Sequence, residues 1–379
     1  MRILLVGEYS GFHNALKHGL ETLGHEVTIV GDGDGFKNYP VDIKLYDSDF
    51  EKSWFKQKFR NLIKRFTKKD LRDAVVLSRF RESENLLKDH DVVQFINSNA
   101  FNTEATTERK MIDFLLENNS KSLLVACGDD TDYVRYLVND HEGYSILDPY
   151  KNEVVPKAGE MYTLRYLKKE YAANYELIKA QSSAVVPSNT DYRMPLVNDP
   201  KATPIIPAPV QTHRLKLEQN EDLSTIKIFM GINRHNYWKK GINYFKEALK
   251  VIQKKYGGRV AIKIAENLPY AEYIKSYKEC HIFLDQVLCY DQGYNALEAM
   301  AMGKVVFAGA SNLYLEAHGL NEIPAIDAKP DVDYLIDKIS ELIDQPELIL
   351  EIGKKARKHV LEYHGCKRIA QKYEKIYLS

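Results

Sequence analysis

Residues 293–304 read "GYNALEAMAMGK" and place one carboxylate, Glu298, inside a run of Ala, Leu and Met. At helical spacing Glu298 shares a face with Tyr294, Asn295, Ala301 and Met302, which is hardly a solvated face. Burying a carboxylate without a partner is costly. An acid in such a place has work to do, and accepting hydrogen bonds from two vicinal hydroxyls is work that suits it. Gly293 opens the helix, where free N–H groups and the helix dipole receive an anion such as a phosphate.

A second set of groups precedes it. "MGINRHNYWKKG" (230–241) follows an apolar strand-like run and supplies Arg234, Lys239 and Lys240 before a helical pattern. A strand-to-helix loop with cations suits a diphosphate, Arg as a fork and Lys as a point charge. The simpler alternatives are a solvated basic turn for that loop and an ordinary Glu–Lys pair for Glu298.

Two α/β domains are needed to position these groups. "RILLV", a glycine-containing loop, "ALKHGLETLG" and "HEVTIV" form a βαβ opening, hence a parallel sheet. Further strands are expected at 91–96, 121–127 and 183–188. Six prolines between 187 and 213 mark a boundary. A second α/β unit follows, with strands in "TIKIFMGI", "RVAIKIA", "HIFLDQV" and "KVVFAGA", then three closing helices. The expected division is 1–210 for the N-terminal domain, 222–360 for the C-terminal domain, and a C-terminal helix, 361–379, returning to the N-terminal domain.

The totals exclude some classes. The chain has 379 residues, and Lys plus Arg equals Asp plus Glu at 53 each, so charge gives no reason to expect nucleic acid. Four scattered cysteines carry no metal-type spacing and suit a reduced, cytoplasmic setting. No apolar run is long enough to span a membrane.

These motifs resemble the GT-B glycosyltransferases, closest to the retaining family 4 type. That family carries a basic loop ending in Lys-Gly, then E-G-F-G-x-x-x-L-E-A-M-A-x-G-x-P-V. This chain has "KKG" at 239–241 and "GYNALEAMAMGKVV" at 293–306. The resemblance implies two Rossmann-like domains facing across a cleft, a UDP- or GDP-sugar donor, a saccharide or lipid-linked acceptor, and no cofactor or metal. It implies transfer with retention, of hexosyltransferase kind, in cell-surface polysaccharide or glycoconjugate synthesis. Arg234 and Lys240 become the diphosphate pair and Glu298 the ribose ligand, with Lys239, Gly293, Tyr294 and Asn295 around the donor. The family's first Glu is replaced by Tyr290. Asp285 and Gln286 match a bacterial Asp-Gln subgroup, and Asp285, Gln286, Tyr290 or Asp291 is expected to take that Glu's role. Gly11 faces the cleft from the first loop.

Other candidates stand apart. His13 is a candidate to face the acceptor or the donor phosphate, although a histidine at a helix start is more often structural. Asp129, Asp130 and Asp132 suggest a metal, with N-capping the better account of the cluster; Asp129 is retained as an acceptor-side base. Residues 53–69 pattern as an amphipathic helix with eight Lys/Arg across 52–69, suited to packing on its own domain or to peripheral contact with the inner face of a membrane. Two other functions remain open: a non-catalytic nucleotide-sugar binder and a nucleotide-sugar epimerase on the same fold.

Overall fold

The computed structural model describes residues 1–46, 58, 70–152, 162–266 and 270–379. The expected basic helix over 53–69 lies, apart from Lys58, outside the described residues.

Two parallel sheets organise the chain. The first contains β1 (Arg2–Val6), β2 (Glu26–Gly31), β3 (Ile43–Lys44), β4 (Val92–Phe95), β5 (Lys121–Ala126) and β6 (Ala184–Pro187) in the order β3-β2-β1-β4-β5-β6. β1 lies inside this sheet, with Ile3 opposite both Val27 and Val92. Strands covered on both faces read as continuous apolar runs, and β1 and β4 are buried almost throughout. The covering helices are α1 (Phe12–Glu21), α2 (Leu71–Glu82), α3 (Ala105–Glu117), α4 (Thr131–Asn139), α5 (Asp148–Lys151), α6 (Lys169–Gln181) and α7 (Thr190–Arg193).

The second sheet contains β7 (Ile226–Ile232), β8 (Val260–Glu266), β9 (Ile282–Leu284), β10 (Val305–Ala308) and β11 (Ile326–Asp327) in the order β11-β10-β9-β7-β8. Around it lie α8 (Ile242–Tyr256), α9 (Tyr270–Glu279), α10 (Tyr294–Ala301), α11 (Asn312–His318), α12 (Val332–Asp344), α13 (Glu347–Tyr363) and α14 (Cys366–Leu378). Ile228, Phe245, Leu284, Phe307 and Leu335 form one core of this half; Phe229, Tyr277, Leu297, Met300 and Val360 form another under α10.

The last helix leaves its own half. Ile369, Ala370, Tyr373 and Tyr377 of α14 are buried in the core of the first sheet and its helices. The two chain crossings are tied together: Val210 N–H donates to His364 O (2.8 Å), and the Cys366 thiol lies 3.0 Å from Val210 O. Both crossings therefore run through one seam beside α1.

The strand orders locate the site. In an open parallel sheet ligands bind at the carboxyl ends of strands, where the winding direction reverses. The first sheet reverses between β1 and β4, the second between β7 and β9. The loops leaving β1, β7 and β9 carry most of the residues singled out from the sequence.

Candidate active site

The loop after β9 presents Asp285 and Gln286, then α10. Asp285 is buried, and its Oδ1 accepts from Lys240 Nζ at 2.6 Å. Its Oδ2 is buried without a partner among the described residues. A Cβ added to Gly293 would sit 3.2 Å from that Oδ2 and 3.3 Å from Gln286 Nε2. Glycine thus keeps the mouth of α10 narrow but open, with Lys240 and a carboxylate beside the first-turn N–H groups.

Glu298 stands one turn further in. Among the described residues its carboxylate makes no hydrogen bond and no ion pair. Burial pushes it up to about 7, and Lys37 pulls in the opposite direction. Its neighbours on α10 are buried: Ala296, Leu297, Ala299, Met300 and Ala301. Lys304, which ends the motif, is also buried, and its ammonium donates to the carbonyls of Glu218 (2.6 Å), Lys278 (2.5 Å) and Cys280 (2.8 Å). Lys304 is spent on structure; Glu298 is left for something else.

The N-terminal domain reaches this helix. The Tyr294 hydroxyl lies 2.6 Å from Pro209 O and 3.3 Å from Gly11 O. Gly11 has φ 88°, and a Cβ there would meet the Tyr39 ring at 3.1 Å, so glycine is required. Glu8, buried under this loop, accepts from Gly11 N–H (2.8 Å) and Asn14 N–H (2.9 Å), and burial pushes it up to about 7. Lys37 reaches Ser10 Oγ and Asp34 Oδ2, both at 2.7 Å. Glu8, Asp34 and Lys37 were not singled out from the sequence. "GDGDGFK" reads as a turn, yet a turn at the carboxyl end of β2 in the same sheet is where such groups would stand.

Several expected roles need correction. His13 does not face the acceptor or the phosphates. It is fully buried, its Nδ1 lies 2.7 Å from Gly7 O and its Nε2 3.1 Å from the Gln94 amide. Burial lowers it to about 4, so it is a neutral core histidine. Tyr290 and Asp291, expected in place of the missing Glu, are both engaged by the other domain. The Tyr290 ring stacks on Tyr144 (4.6 Å between centroids), and its hydroxyl donates to Tyr144 O at 3.0 Å. Asp291 Oδ2 accepts from Thr190 N–H (2.7 Å) and Thr190 Oγ1 (2.9 Å). In return Asp191 accepts from Tyr290 N–H at 3.2 Å. These side chains join the domains. Asp285 and Gln286 remain at the mouth of α10.

The three aspartates after β5 diverge. Asp130 caps α4 and accepts from Ser98 N–H (2.8 Å). Asp132 pairs with Lys179 and Arg135. Asp129 pairs with Lys239 across the domain junction and accepts from Thr163 Oγ1 at 2.8 Å. Nor does Arg234 join Lys240: it is exposed and pairs with Glu266 at the end of β8 (2.7 Å). Asn295 is exposed on the first turn of α10, its carbonyl taken by the Tyr277 hydroxyl. A cavity of about 530 Å³ lies between α7 and α11, lined by Thr190, Arg193, Met194 and Leu313 among others. None of the charged groups around Glu298 lines it.

Residues 235–375, well under half of the chain, match the family described as glycosyl transferase-like. No curated protein sequence matches the chain. Among solved structures, sucrose-phosphate synthase from Thermosynechococcus elongatus is similar at 14% identity and a TM-score of 0.60, covering 100% of this chain and 98% of that one. Anabaena HepE in complex with UDP-glucose is similar at 12% identity and 0.57, covering 99% and 98%. A glycosyltransferase from Rickettsia africae is similar at 15% identity and 0.52, covering 99% and 97%. These likenesses show the fold, the two-domain GT-B architecture. The family match over the C-terminal domain, together with that fold, supports an enzyme of the glycosyltransferase class. Among the described residues no helix is long and apolar enough to cross a membrane.

Proposed function

We propose that the protein moves a sugar from a nucleotide diphosphate sugar to an acceptor hydroxyl, with retention and without a metal. The observation that carries this reading is Glu298, a half-buried carboxylate on an otherwise buried helix with no hydrogen bond among the described residues, beside a helix mouth that holds Lys240. A ribose would supply the two missing donors. Lys240 and the first-turn N–H groups of α10 would take the diphosphate, neutralising charge as the sugar bond breaks. Arg234 would turn to the same group, since an exposed ion pair such as its contact with Glu266 is worth at most about 1 kcal/mol. Asp129 would serve the acceptor hydroxyl once Lys239 turns to phosphate. HepE is described in complex with UDP-glucose, which favours a UDP-sugar over a GDP-sugar as first donor to try. The acceptor would be a saccharide, free or lipid-linked, in surface polysaccharide or glycoconjugate synthesis.

One observation favours a non-catalytic binder instead. Tyr290, in place of the family's first Glu, is engaged by Tyr144. A thermal-shift screen of UDP- and GDP-sugars, followed by donor hydrolysis with and without EDTA, tests both readings. Stabilisation of about 2.7 kcal/mol is expected at a hundred times the dissociation constant, with hydrolysis that survives chelation. Stabilisation without turnover supports the binder. Turnover abolished by EDTA and restored by metal overturns the metal-free mechanism.

A further inference from the structure

We propose that the Lys239–Asp129 ion pair is an autoinhibitory contact: a carboxylate of the N-terminal domain occupies the ammonium that a donor diphosphate would take, so that nucleotide binding and release of Asp129 are one exchange. The inference rests on the nucleotide-site reading of Lys240 and the mouth of α10, and adds a competitor built into the chain.

The loop that carries the cations is shared between the domains. It runs from β7 to α8, and its end packs on the segment that leads into α10. There Val287 N–H donates to Lys240 O at 2.9 Å, and a Cβ on Gly241 would meet the Val287 side chain at 3.1 Å. Lys240 therefore stays with its own domain, on Asp285. The two residues before it go the other way. Trp238 packs against Tyr133, Leu137, Leu147 and Tyr150, a cluster on α4 and around α5. Lys239 reaches Asp129, in the loop between β5 and α4. One apolar and one ionic contact thus seat the loop on α4 and on the residues that lead into it.

Asp129 is held firmly on its side of the junction. Its Oδ2 also accepts from the hydroxyl of fully buried Thr163 at 2.8 Å. The Asn97 amide donates to Cys127 O and Asp129 O, both at 3.0 Å, which fixes the loop backbone. The Lys239 and Asp129 side chains are 14% and 15% exposed, so the pair is shielded from the screening that weakens surface contacts. Arg234, on the same loop, is 73% exposed. Taking Lys239 out of a shielded pair leaves an uncompensated carboxylate. A ligand that recruits Lys239 must meet that cost, and its apparent affinity falls with the fraction of molecules in which the lysine is free. The ammonium can move without the backbone, because it sits on a flexible four-carbon stem. Trp238 meanwhile keeps the loop seated.

The test is calorimetric titration of UDP and of GDP at pH 8 with the wild type, Asp129→Asn, Thr163→Val, Lys239→Met and the double variant Asp129→Asn with Lys239→Met, melting temperatures being measured alongside. Asp129→Asn should tighten nucleotide binding by about tenfold, the gain when a competent state goes from about one-tenth to fully populated. Thr163→Val should act in the opposite sense, weakening binding by about threefold, because Asp129 Oδ2 then depends on Lys239 alone. In the Lys239→Met background Asp129→Asn should change affinity by less than about twofold, since no ammonium is left to contend for. Equal tightening with and without Lys239 would show plain repulsion between Asp129 and the nucleotide, and would overturn the inference. Unchanged affinity in Asp129→Asn with a lower melting temperature would make the pair a staple between domains, and would overturn it too. Should Asp129→Asn not fold, unchanged affinity in Thr163→Val decides against the inference and weakened affinity supports it. If the wild type binds neither nucleotide, the site reading itself falls. If it binds and the pair of lysine and aspartate variants shows no coupling, only the inference about Lys239 falls.

Discussion

Two carboxylates on one short stretch of chain, Asp291 and Glu298, meet opposite fates. Asp291 Oδ2 accepts twice from Thr190, and Oδ1 accepts from Gln292 N–H at 2.6 Å. Glu298 accepts nothing among the described residues, although burial pushes it up to about 7. Proteins satisfy buried polar groups wherever structure alone is at stake. On the proposed reading, a half-buried acid left without a partner among the described residues at the reversal point of a parallel sheet is stability given up for a ligand. The contrast separates a carboxylate that joins the domains from one that we propose awaits a substrate, and it can be broken from either side.

The largest effect is expected at Lys240. Lys240→Ala strands the buried Asp285, and breaking such a pair costs about 3–5 kcal/mol. Adding Asp285→Asn should recover most of that stability in denaturant melts without recovering donor turnover. If the double variant regains turnover, Lys240 serves only to neutralise Asp285.

Next come the residues of the junction. Thr190→Val removes the hydroxyl that faces Asp291; a hydrogen bond to a charged group is worth about 1.5–3 kcal/mol. Stability should fall by that order, while nucleotide affinity in the folded fraction stays within about twofold. A large affinity loss at unchanged stability would move Asp291 back among the donor ligands.

Arg234→Ala should be the mildest for stability, within about 1 kcal/mol, because its partner Glu266 holds an exposed guanidinium. Donor turnover should nevertheless drop by about tenfold, the worth of roughly 1.4 kcal/mol of transition-state charge. Unchanged turnover would leave Arg234 facing solvent.

These outcomes track what was legible in the sequence. The strands were, because runs such as "RILLV" and "TIKIFMGI" are apolar on both faces. Their order was not, since it depends on which crossover places β1 beside β4. That Gly293 and Glu298 share one helix and that Lys240 sits on one loop were legible, because the sequence carries them at fixed spacing. Thr190, Asp191 and Tyr144 were not, because each meets its partner from the other domain, far along the chain. The cross-domain partners of Tyr290 and Asp291 were hidden for the same reason: a sequence shows polar side chains beside a motif but not the opposing domain that engages them. His13 misled because the helical pattern of α1 does not say which side of the first turn faces inward. Lys37 was passed over as part of a glycine turn.

The central claim is that Glu298 is reserved for a ribose, and Glu298→Gln tests it with affinity and melting temperature measured together. Nucleoside diphosphate affinity at pH 8 should fall about 10- to 100-fold, as two charge-assisted hydrogen bonds weaken. Stability should move the other way. Burial pushes the folded carboxyl up to about 7, from an ordinary value of 4.5. Between those values the unfolded chain has released its proton and the folded chain has not, so stability falls as pH rises and the full cost is felt above about 7. Glu298→Gln should therefore melt higher than the wild type at pH 8 and level with it at pH 4.5. Lower affinity with a higher melting temperature at pH 8 is the predicted result; unchanged affinity with a lower melting temperature would make Glu298 a structural residue and contradict the account.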